Sequence, residues 1–410
     1  MAAAGGLRAQ AGGKALRLGI IGAGWYGMVD ARAALKCGGV EIAAICDVDS
    51  AHVDAAVAEL EKLQGKKPAT FKLYEELLVS GGLDAVVIAT PPHWHALQAI
   101  AAVGKGLDVY LEKPIAYDVR EGQAIVDAVK RSGRIVQVGF QRRQAEGYRQ
   151  AAEFIRSGGI GKVVQVDAQI HYRAGTLDPS PKDPPATLDW DLWCGPGPKI
   201  PYSEQVGHKN WRLEHTSGHG HLVDWGIHLI DTVRLMTGAS IPKRFVAAGG
   251  IEKLKGIITT PDTLTAHFEF EEFPLVWRHR LWGATEYDPA LSNGLFFYGE
   301  NGTVFATDKK WVLVRTKGKE VEREEHEAAG DAGKAHMEDF LAAVRERRQP
   351  ACPIEEGFKS TATVQLAMIA YETGAAVAWD EAAKQIRDNE AGAKLLKREY
   401  RKPWVHPFGA

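Results

Sequence analysis

Three glycines and one aspartate have the spacing of a dinucleotide-binding loop. Gly22, Gly24 and Gly27 form a G-x-G-x-x-G pattern, and Asp47 follows twenty residues after the last glycine. In such loops the first glycine makes a tight turn, the second lets the backbone approach a pyrophosphate, and the third lets a helix pack closely on a strand. A carboxylate at Asp47 would accept hydrogen bonds from ribose hydroxyls.

The residues around this loop decide between a dinucleotide site and a glycine-rich turn. An apolar run at residues 16–21 precedes it, a helix-compatible segment follows from 28 to 39, and a β-branched run ends on Asp47. The helix would point free N–H groups at the phosphates. Asp47 would repel a 2′-phosphate, and no arginine or lysine stands beside it in the sequence. We therefore predict a site that prefers NAD(H) to NADP(H).

A second set of chemically useful residues lies between positions 208 and 228, where the chain has five histidines. Asp224 and His228 are four residues apart, so on a helix they would share one face and could hydrogen-bond. A histidine held in this way is a candidate acid or base. His219 and His221, two apart, would face one side of an extended segment and could form a zinc-like site with His208 or Asp224.

Alternating strands and helices must position these residues. Buried-type strands are predicted at residues 83–90, 107–112 and 134–139, with helical patterns between them. This alternation predicts a parallel sheet covered on both faces, with ligands at the carboxyl ends of the strands. The segments Thr90-Pro91-Pro92-His93 and Glu112-Lys113-Pro114 follow two of these strands. Chemistry is therefore expected there.

The composition excludes several other classes of protein. The formal net charge is −2, which gives no electrostatic case for binding nucleic acid or an anionic membrane. The four cysteines are scattered without a C-x-x-C motif, so neither a thiol zinc site nor a disulfide framework is indicated. No apolar run has the length of a membrane span.

The first thirteen residues are excluded from the predicted fold. They are small and low in complexity, and Ala9-Gln10-Ala11 has the form of a signal-peptidase site. Two interpretations remain open, a disordered leader and the remnant of an export signal. The compartment is accordingly left as cytoplasmic or periplasmic.

The ordered motifs GIIGAGWYG, ICDVD, ATPPHWH and LEKPIA resemble the glucose–fructose oxidoreductase/inositol dehydrogenase (Gfo/Idh/MocA) family. The resemblance continues through HLVDWGIHLID and ENGTVFATD. It implies an α/β protein with a Rossmann domain at residues 14–141. It also implies a C-terminal α/β domain at residues 142–410, built on an open, largely antiparallel sheet whose exposed face often joins subunits. We therefore expect a dimer or tetramer, with C-terminal helices that can pack back on the Rossmann domain.

The sequence of the second half supports that sheet independently. From residue 162 onward several strand-like runs alternate apolar and polar residues, as in a sheet with one buried face. Two amphipathic helices are predicted around residues 335–347 and 354–376.

The resemblance also implies roles for individual residues. Lys113 would lie beside the nicotinamide and the reacting hydroxyl, with His228 as the acid or base and Asp224 orienting it or binding a neighbouring hydroxyl. Asp231, one turn further on, is expected to be structural. Most relatives need no metal, so no metal is predicted. The other expected cofactor contacts are Trp25, Tyr26, Thr90, Pro91, His95 and Glu112, and the other expected substrate contacts are Arg142, Trp211 and Arg212.

Three functions remain open at this point. The first is an NAD-dependent dehydrogenase or reductase acting on a secondary alcohol of a sugar or cyclitol. The second is an NAD-dependent glycoside hydrolase that works by transient oxidation, elimination, hydration and re-reduction. The third is a sensor that binds NAD without turnover, and the presence of Lys113, Asp224 and His228 argues against it.

An aromatic segment with Trp190, Trp193 and Tyr202 either covers the sugar pocket or serves packing or subunit contact.

Overall fold

A computed structural model describes residues 14–283 and 286–409 of the chain. The predicted leader at residues 1–13 lies outside the described residues. Among the described residues, no helix is both long enough and apolar enough to cross a membrane.

The N-terminal part forms a parallel six-stranded sheet in the order β3-β2-β1-β4-β5-β6. The order reverses between β1 and β4, which is the switch point where α/β sheets bind ligands. The predicted doubly wound fold is confirmed, and its central strands are buried on both faces. The strands are β1 Leu16–Ile21, β2 Val40–Cys46, β3 Ala69–Phe71, β4 Ala85–Ile88, β5 Asp108–Leu111 and β6 Val136–Val138. The helices of this part are α1 Trp25–Cys37, α2 Ser50–Gln64, α3 Tyr74–Val79, α4 Pro92–Gly104 and α5 Val119–Ser132.

The rest of the chain builds a ten-stranded sheet in the order β14-β13-β12-β11-β7-β10-β9-β8-β15-β16. Its pairs are antiparallel except for β7 with β10, so the predicted largely antiparallel sheet is confirmed. The strands are β7 Val163–His171, β8 Arg244–Gly250, β9 Thr263–Glu269, β10 Pro274–Arg280, β11 Asn293–Gly299, β12 Gly302–Ala306, β13 Lys310–Lys317, β14 Glu320–Glu327, β15 Val377–Asp380 and β16 Gln385–Arg387. The helices are α6 Glu146–Arg156, α7 Trp190–Cys194, α8 Ile227–Thr237, α9 Ala332–Glu346, α10 Ile354–Thr373 and α11 Glu390–Lys394.

Alternation explains how this sheet packs. In β9 the residues Leu264, Ala266 and Phe268 are buried while their neighbours are not. In β10 the same holds for Leu275 and Trp277. One face therefore joins the main core with α8 and α10, as a period of two residues requires.

Two C-terminal segments return to the first sheet. Helix α9 packs on α1, where Met337 and Phe340 join the buried cluster around Leu18 and Ile20. Residues 396–409, which we call the C-terminal strap, run across α5 and α7. In the strap, Arg398 pairs with the buried Glu121 at 2.8 Å.

Candidate active site

Packing explains two of the three loop glycines. Gly22 has a φ of +92°, and a Cβ there would lie 2.8 Å from main-chain atoms of Ala89 and Thr90. A Cβ on Gly27 would lie 1.9 Å from the Gly22 carbonyl oxygen, so α1 can approach β1 only through a glycine. A Cβ on Gly24 would meet only the His52 ring, at 3.5 Å. Space therefore remains above the middle of the loop.

The start of α1 fits a phosphate group. Helix α1 begins at Trp25, and its N-cap, Gly24, offers no side chain to the first-turn N–H groups. Such N–H groups and the helix dipole attract anions. The loop, its strand and its helix therefore fit the pyrophosphate of a dinucleotide.

Asp47 lies at the end of β2 as predicted for a ribose-binding carboxylate. It accepts hydrogen bonds from the main-chain N–H of Ala23, at 2.8 Å, and of Asp49, at 2.9 Å. Its Oδ2 atom also lies 3.5 Å from Nδ1 of His52. That hydrogen-bonded contact raises the pKa of His52 above its usual value despite partial burial.

The expectation that no cation lies near Asp47 is wrong in three dimensions. Lys72 follows β3, whose last residue accepts a hydrogen bond from the Asp47 N–H, and it borders the same cleft. His52, His208 and Lys209 also line this cleft. These groups come from three distant sequence positions, so only the fold brings them together.

The glycine loop opens into a cleft of about 590 Å³, within the usual range for ligand sites. Tyr26, Thr90 and Pro91 lie in its wall. Five indoles also border it, and the sequence had singled out three of them. They are Trp25, Trp94, Trp193, Trp211 and Trp404.

The aromatic segment lies beside this cofactor cleft. Trp193 lines the cleft, and Trp190 stacks on it with ring centroids 4.5 Å apart. Tyr202 packs edge-on against Trp190 behind them. Of the two interpretations left open, packing accounts for Trp190 and Tyr202, whereas Trp193 forms part of the wall.

Lys113 follows β5 and reaches across to the second half of the chain. Its Nζ donates hydrogen bonds to the Asp224 carbonyl oxygen, at 2.6 Å, and to Oδ1 of the same residue, at 2.9 Å. The Lys113 side chain is 12% exposed. The peptide bond to Pro114 is cis. A nearly buried ammonium group is thus fixed where the two sheets meet.

The Asp224 carboxylate balances two cations. Asp224 lies in a π-helix, Leu222–Gly226, and also receives the Arg212 guanidinium at 3.2 Å. Burial alone would raise its pKa, but the charges of Lys113 and Arg212 hold that pKa below its usual value. Asp224 is therefore a charged anchor in the neutral pH range.

The prediction that Asp224 holds His228 and favours its charged form is wrong. Among the described residues, the Asp224 carboxylate bonds Lys113 and Arg212 rather than His228, and Nδ1 of His228 has no hydrogen-bond partner. Burial, together with the charges of Lys113 and Arg142, lowers the pKa of His228 well below its usual value. His228 is therefore a neutral imidazole with a free nitrogen atom.

Two expected cofactor contacts lie behind the cleft surface. The His95 ring is buried, and its nitrogen atoms lie 2.7 Å from the Thr90 carbonyl and 2.8 Å from the Pro114 carbonyl. Both nitrogens are thus occupied by main-chain carbonyls, of which that of Thr90 belongs to a residue lining the cleft, and contact of His95 with the cofactor stays a prediction. Glu112 is also buried and accepts a hydrogen bond from Gln141 at 2.8 Å.

A buried acidic pair beneath the loop was missed from the sequence. Asp30, on α1, interacts electrostatically with Glu112, and both are almost fully buried. Burial raises the pKa of Glu112 to about 7 and that of Asp30 well above its usual value. Burial likewise raises the pKa of Tyr26, which precedes Asp30 by one helical turn. The signal available in the sequence was an acidic residue, Asp30, on the face of the predicted helix that should be buried.

Two arginines expected to contact the substrate, Arg212 and Arg142, each pack against a tryptophan ring, whereas Asp231 has a different environment. The Arg212 guanidinium packs over the Trp211 ring, 4.3 Å from its centroid, while its Nε bonds Asp224. Arg142 lies 5.8 Å from the Trp225 ring, on the side of His228. Asp231 instead forms a buried ion pair with Arg143, at 2.7 Å. That contact fits the structural role expected for Asp231.

The expected alignment of His219 with His221 is not found. His219 has a φ of +58°, and its ring stacks on Tyr117 with centroids 4.2 Å apart. His221 instead packs against His279, at 5.0 Å, deep in the core. His208 bonds Asp49 at 2.8 Å. The left-handed turn at His219 breaks the extended geometry on which the expectation depended.

Two protein-family models match this chain. A model described as an oxidoreductase family, NAD-binding Rossmann fold, matches residues 16–140. A model described as the C-terminal alpha/beta domain of the oxidoreductase family matches residues 186–378. Together they cover the whole first sheet and most of the second.

Curated relatives match the chain in part. An inositol 2-dehydrogenase of Salmonella typhimurium is 34% identical over 176 residues, which are 42% of this chain and 51% of that protein. The match thus spans about half the length of that relative. An alpha-N-acetylgalactosaminidase of Shewanella oneidensis is 37% identical over 121 residues, 28% of this chain and 26% of that protein.

Solved structures share the fold over nearly the whole chain. A myo-inositol 2-dehydrogenase from Lactobacillus plantarum superposes with a TM-score of 0.66 and 23% identity, covering 89% of this chain and 99% of that chain. A levoglucosan dehydrogenase in complex with NADH and levoglucosan superposes with a TM-score of 0.70 and 17% identity, covering 88% and 99%.

Proposed function

Since the chain belongs to the Gfo/Idh/MocA family of oxidoreductases, we propose that it transfers a hydride between nicotinamide and a secondary alcohol of a sugar or cyclitol. The observation that carries the proposal is the contact between Lys113 and Asp224, which joins the end of β5 in the first sheet to the π-helix Leu222–Gly226 in the second half of the chain. Both residues occupy the positions at which the family resemblance places the reacting groups.

The chain's residues fit NAD and would divide the work of holding it. The Gly22–Gly27 loop and the start of α1 would hold the pyrophosphate, and Asp47 would accept hydrogen bonds from the adenosine ribose. The indoles in the cleft wall provide flat surfaces for the rings. When bound, the nicotinamide supplies the hydride acceptor or donor. Preference for NAD(H) over NADP(H) is part of the proposal, because Asp47 would repel a 2′-phosphate.

Proton transfer would be the task of His228 and Lys113. A neutral His228 can take the proton of a substrate hydroxyl without first losing one of its own. Lys113, fixed by Asp224, would donate a hydrogen bond to the same oxygen and polarise it. Asp224 keeps that ammonium in place, and Arg212 adds a second donor for a neighbouring hydroxyl.

A second candidate function is redox-neutral glycoside hydrolysis. It is favoured by the 37% identity to a protein named alpha-N-acetylgalactosaminidase over 121 residues. Such a reaction needs the same initial oxidation and therefore the same residues. It differs in its products, because the hydride returns to the sugar at the end.

Native mass spectrometry, followed by product analysis with a panel of sugars, cyclitols and glycosides, separates the candidates. The dehydrogenase predicts a product that lacks two hydrogen atoms, formed together with one equivalent of NADH. The hydrolase predicts release of the aglycone with no net NADH. If a chain that retains NAD neither oxidised nor hydrolysed any member of a broad panel, that result would contradict both candidate functions.

A further inference from the structure

A cluster of two histidines and one glutamate lies outside the cleft. His215 and His219 precede the π-helix that contains Asp224, and Glu372 lies in the last turn of α10. We call these three side chains the His215 cluster. Nδ1 of each histidine lies 3.8 Å from the same oxygen atom, Oε1 of Glu372.

The spacing of these atoms suits a metal better than a hydrogen bond. Distances of 3.8 Å are too long for nitrogen–oxygen hydrogen bonds. Zinc binds histidine nitrogen and carboxylate oxygen at about 2.0–2.2 Å, so two ligands of one ion lie roughly 3.3–4.3 Å apart. The three atoms thus surround a point that one ion could reach with small side-chain rotations.

The state of His219 supports the same interpretation. Its Nδ1 is buried and has no hydrogen-bond partner among the described residues. The main chain of Tyr117 is a hydrogen-bonding neighbour of the ring, which leaves Nδ1 as the free nitrogen. Histidine ligands usually place the other ring nitrogen against a carbonyl in this way.

Glu372 is the one carboxylate of the cluster, and its side chain is 23% exposed. Among the described residues its ion-pair neighbours are the two histidines, and no lysine or arginine lies within ion-pair distance of it. A divalent ion would supply the missing positive charge. Two neutral imidazoles with one carboxylate are a ligand set typical of zinc and related ions.

Among the described residues, two other clusters combine histidine and acidic side chains, but in each of them one histidine already forms a hydrogen bond with a carboxylate. In one, Nε2 of His208 bonds Asp49 at 2.8 Å. In the other, Nε2 of His406 bonds Asp118 at 3.0 Å. These atoms are already satisfied by each other, so neither cluster needs an ion.

We propose that the His215 cluster binds one divalent transition-metal ion of the Zn²⁺ class. The ion would tie the segment 215–219 to α10. Because the Asp224 N–H bonds the Gly220 carbonyl at 3.0 Å, this segment leads directly into the π-helix. The metal is therefore a structural element at the start of this segment that takes no part in hydride or proton transfer.

Calorimetric titration of the chelator-treated full chain with Zn²⁺ tests the proposal. One equivalent should bind and raise the melting temperature. Glu372→Gln and His215→Ala should each weaken binding by at least the roughly 10–100-fold that a lost outer-shell partner costs. His215 is half-exposed, so its removal should leave the fold intact. Bound Co²⁺ should give the intense visible absorption of a four- or five-coordinate site in the original chain and lose it in both variants.

His208→Ala is the matched control for zinc affinity, because it removes a histidine from a rival cluster. The affinity should not change in this variant. Loss of zinc binding in His208→Ala with retention in the other two variants would overturn the proposal. So would the absence of binding at micromolar zinc. Turnover after chelation should stay near its starting value, and its loss would contradict a purely structural role for the ion.

Discussion

Lys113 follows β5 of the first sheet and His228 lies in α8 of the second half, and the charge of Lys113 helps to lower the pKa of His228. Groups that share one proton route are non-additive when removed. We therefore expect Lys113→Ala and His228→Ala each to lower turnover by roughly 10²-fold or more. The double variant should be hardly worse than the poorer single one, as measured by steady-state kinetics.

The affinity for NAD should change little in His228→Ala, because this residue lies in the second half of the chain. His326→Ala is a suitable control, since His326 lies on the exposed strand β14, and its turnover should match that of the unmodified chain. Near-normal turnover of His228→Ala across the pH range would show that His228 is a binding or structural residue only.

Asp47 should set the choice of cofactor. NAD(H) is expected to bind at least about 10-fold more tightly than NADP(H), a difference of about 1.4 kcal/mol. Asp47→Ser removes the repulsive carboxylate and leaves His52 at this end of the cleft, which Lys72, paired with Asp189 at 2.6 Å, also borders. The preference should therefore shrink. Isothermal titration with both cofactors measures it.

Lys72→Ala in the Asp47→Ser background is the control for that change. It should restore part of the preference if Lys72 meets the 2′-phosphate. Equal or tighter binding of NADP(H) by the unmodified chain would contradict the interpretation of the ribose site.

For individual residues, the sequence predicts those features that depend on local spacing. The glycine loop and Asp47 were predictable because the position of each residue is set by the turn or strand end to which it belongs. The partner of Asp224 was not, because an i, i+4 contact assumes a regular α-helix. The π-helix Leu222–Gly226 changes the register just before α8, and Lys113 and Arg212 occupy the carboxylate instead. No sequence pattern marked this change.

Among the elements, the C-terminal strap has the clearest effect on the cofactor cleft. It is fixed by Arg398 to Glu121 at 2.8 Å, and it places Trp404 in the cleft wall against Trp94, with ring centroids 5.6 Å apart. Trp404→Ala should weaken NAD binding by about 10-fold, because a large aromatic contact is worth about 1–2 kcal/mol. Fluorescence titration and stopped-flow release of NAD measure the loss.

Val405→Ala is the matched control, since Val405 is the next residue and is 68% exposed. Its affinity for NAD should not change. Unaltered affinity and release in Trp404→Ala would mean that the strap serves packing alone.

Elements with clear periodicity were predictable, and others were not. Strands such as β9 and β10 alternate because one face is buried. Strand β14 has five glutamates in eight residues and forms by pairing along β13 at the edge of the sheet. The strap has no regular structure and is held by side chains from distant parts of the chain. Such elements depend on tertiary partners, which a local pattern does not contain.

For the whole molecule, buried neutral histidines dominate the response to acid. Burial lowers the pKa of eight histidines below the usual value of about 6.5. These are His93, His95, His171, His219, His221, His228, His279 and His336. His52 shifts in the opposite direction because of Asp47.

The sign of the pH effect follows from which state binds more protons. Below pH about 6.5 the unfolded chain protonates these histidines, whereas the folded chain keeps them neutral. Their contribution to stability is therefore complete above that pH and falls as the pH drops toward the folded values, which are about 4 for His95, His279 and His336. Each group contributes a slope of up to about 1.4 kcal/mol per pH unit. His52 opposes this trend, and so do the carboxyl groups of Asp30, Glu112, Glu121 and Glu372, because burial raises their pKa and the folded chain protonates them before the unfolded chain does.

We accordingly expect the free energy of unfolding of the metal-free chain to fall steeply between pH 6.5 and 5, measured by denaturant titration at each pH. His336→Gln tests the assignment, because His336 is fully buried and its Nε2 bonds the Val138 carbonyl at 2.8 Å. Glutamine can still donate that hydrogen bond but cannot take up a proton. In this variant the dependence of the unfolding free energy on pH should be smaller by the contribution of about one proton, whatever the stability of the variant at pH 8. A stability that stays constant down to pH 5 would show that the buried histidines are already protonated in the folded chain.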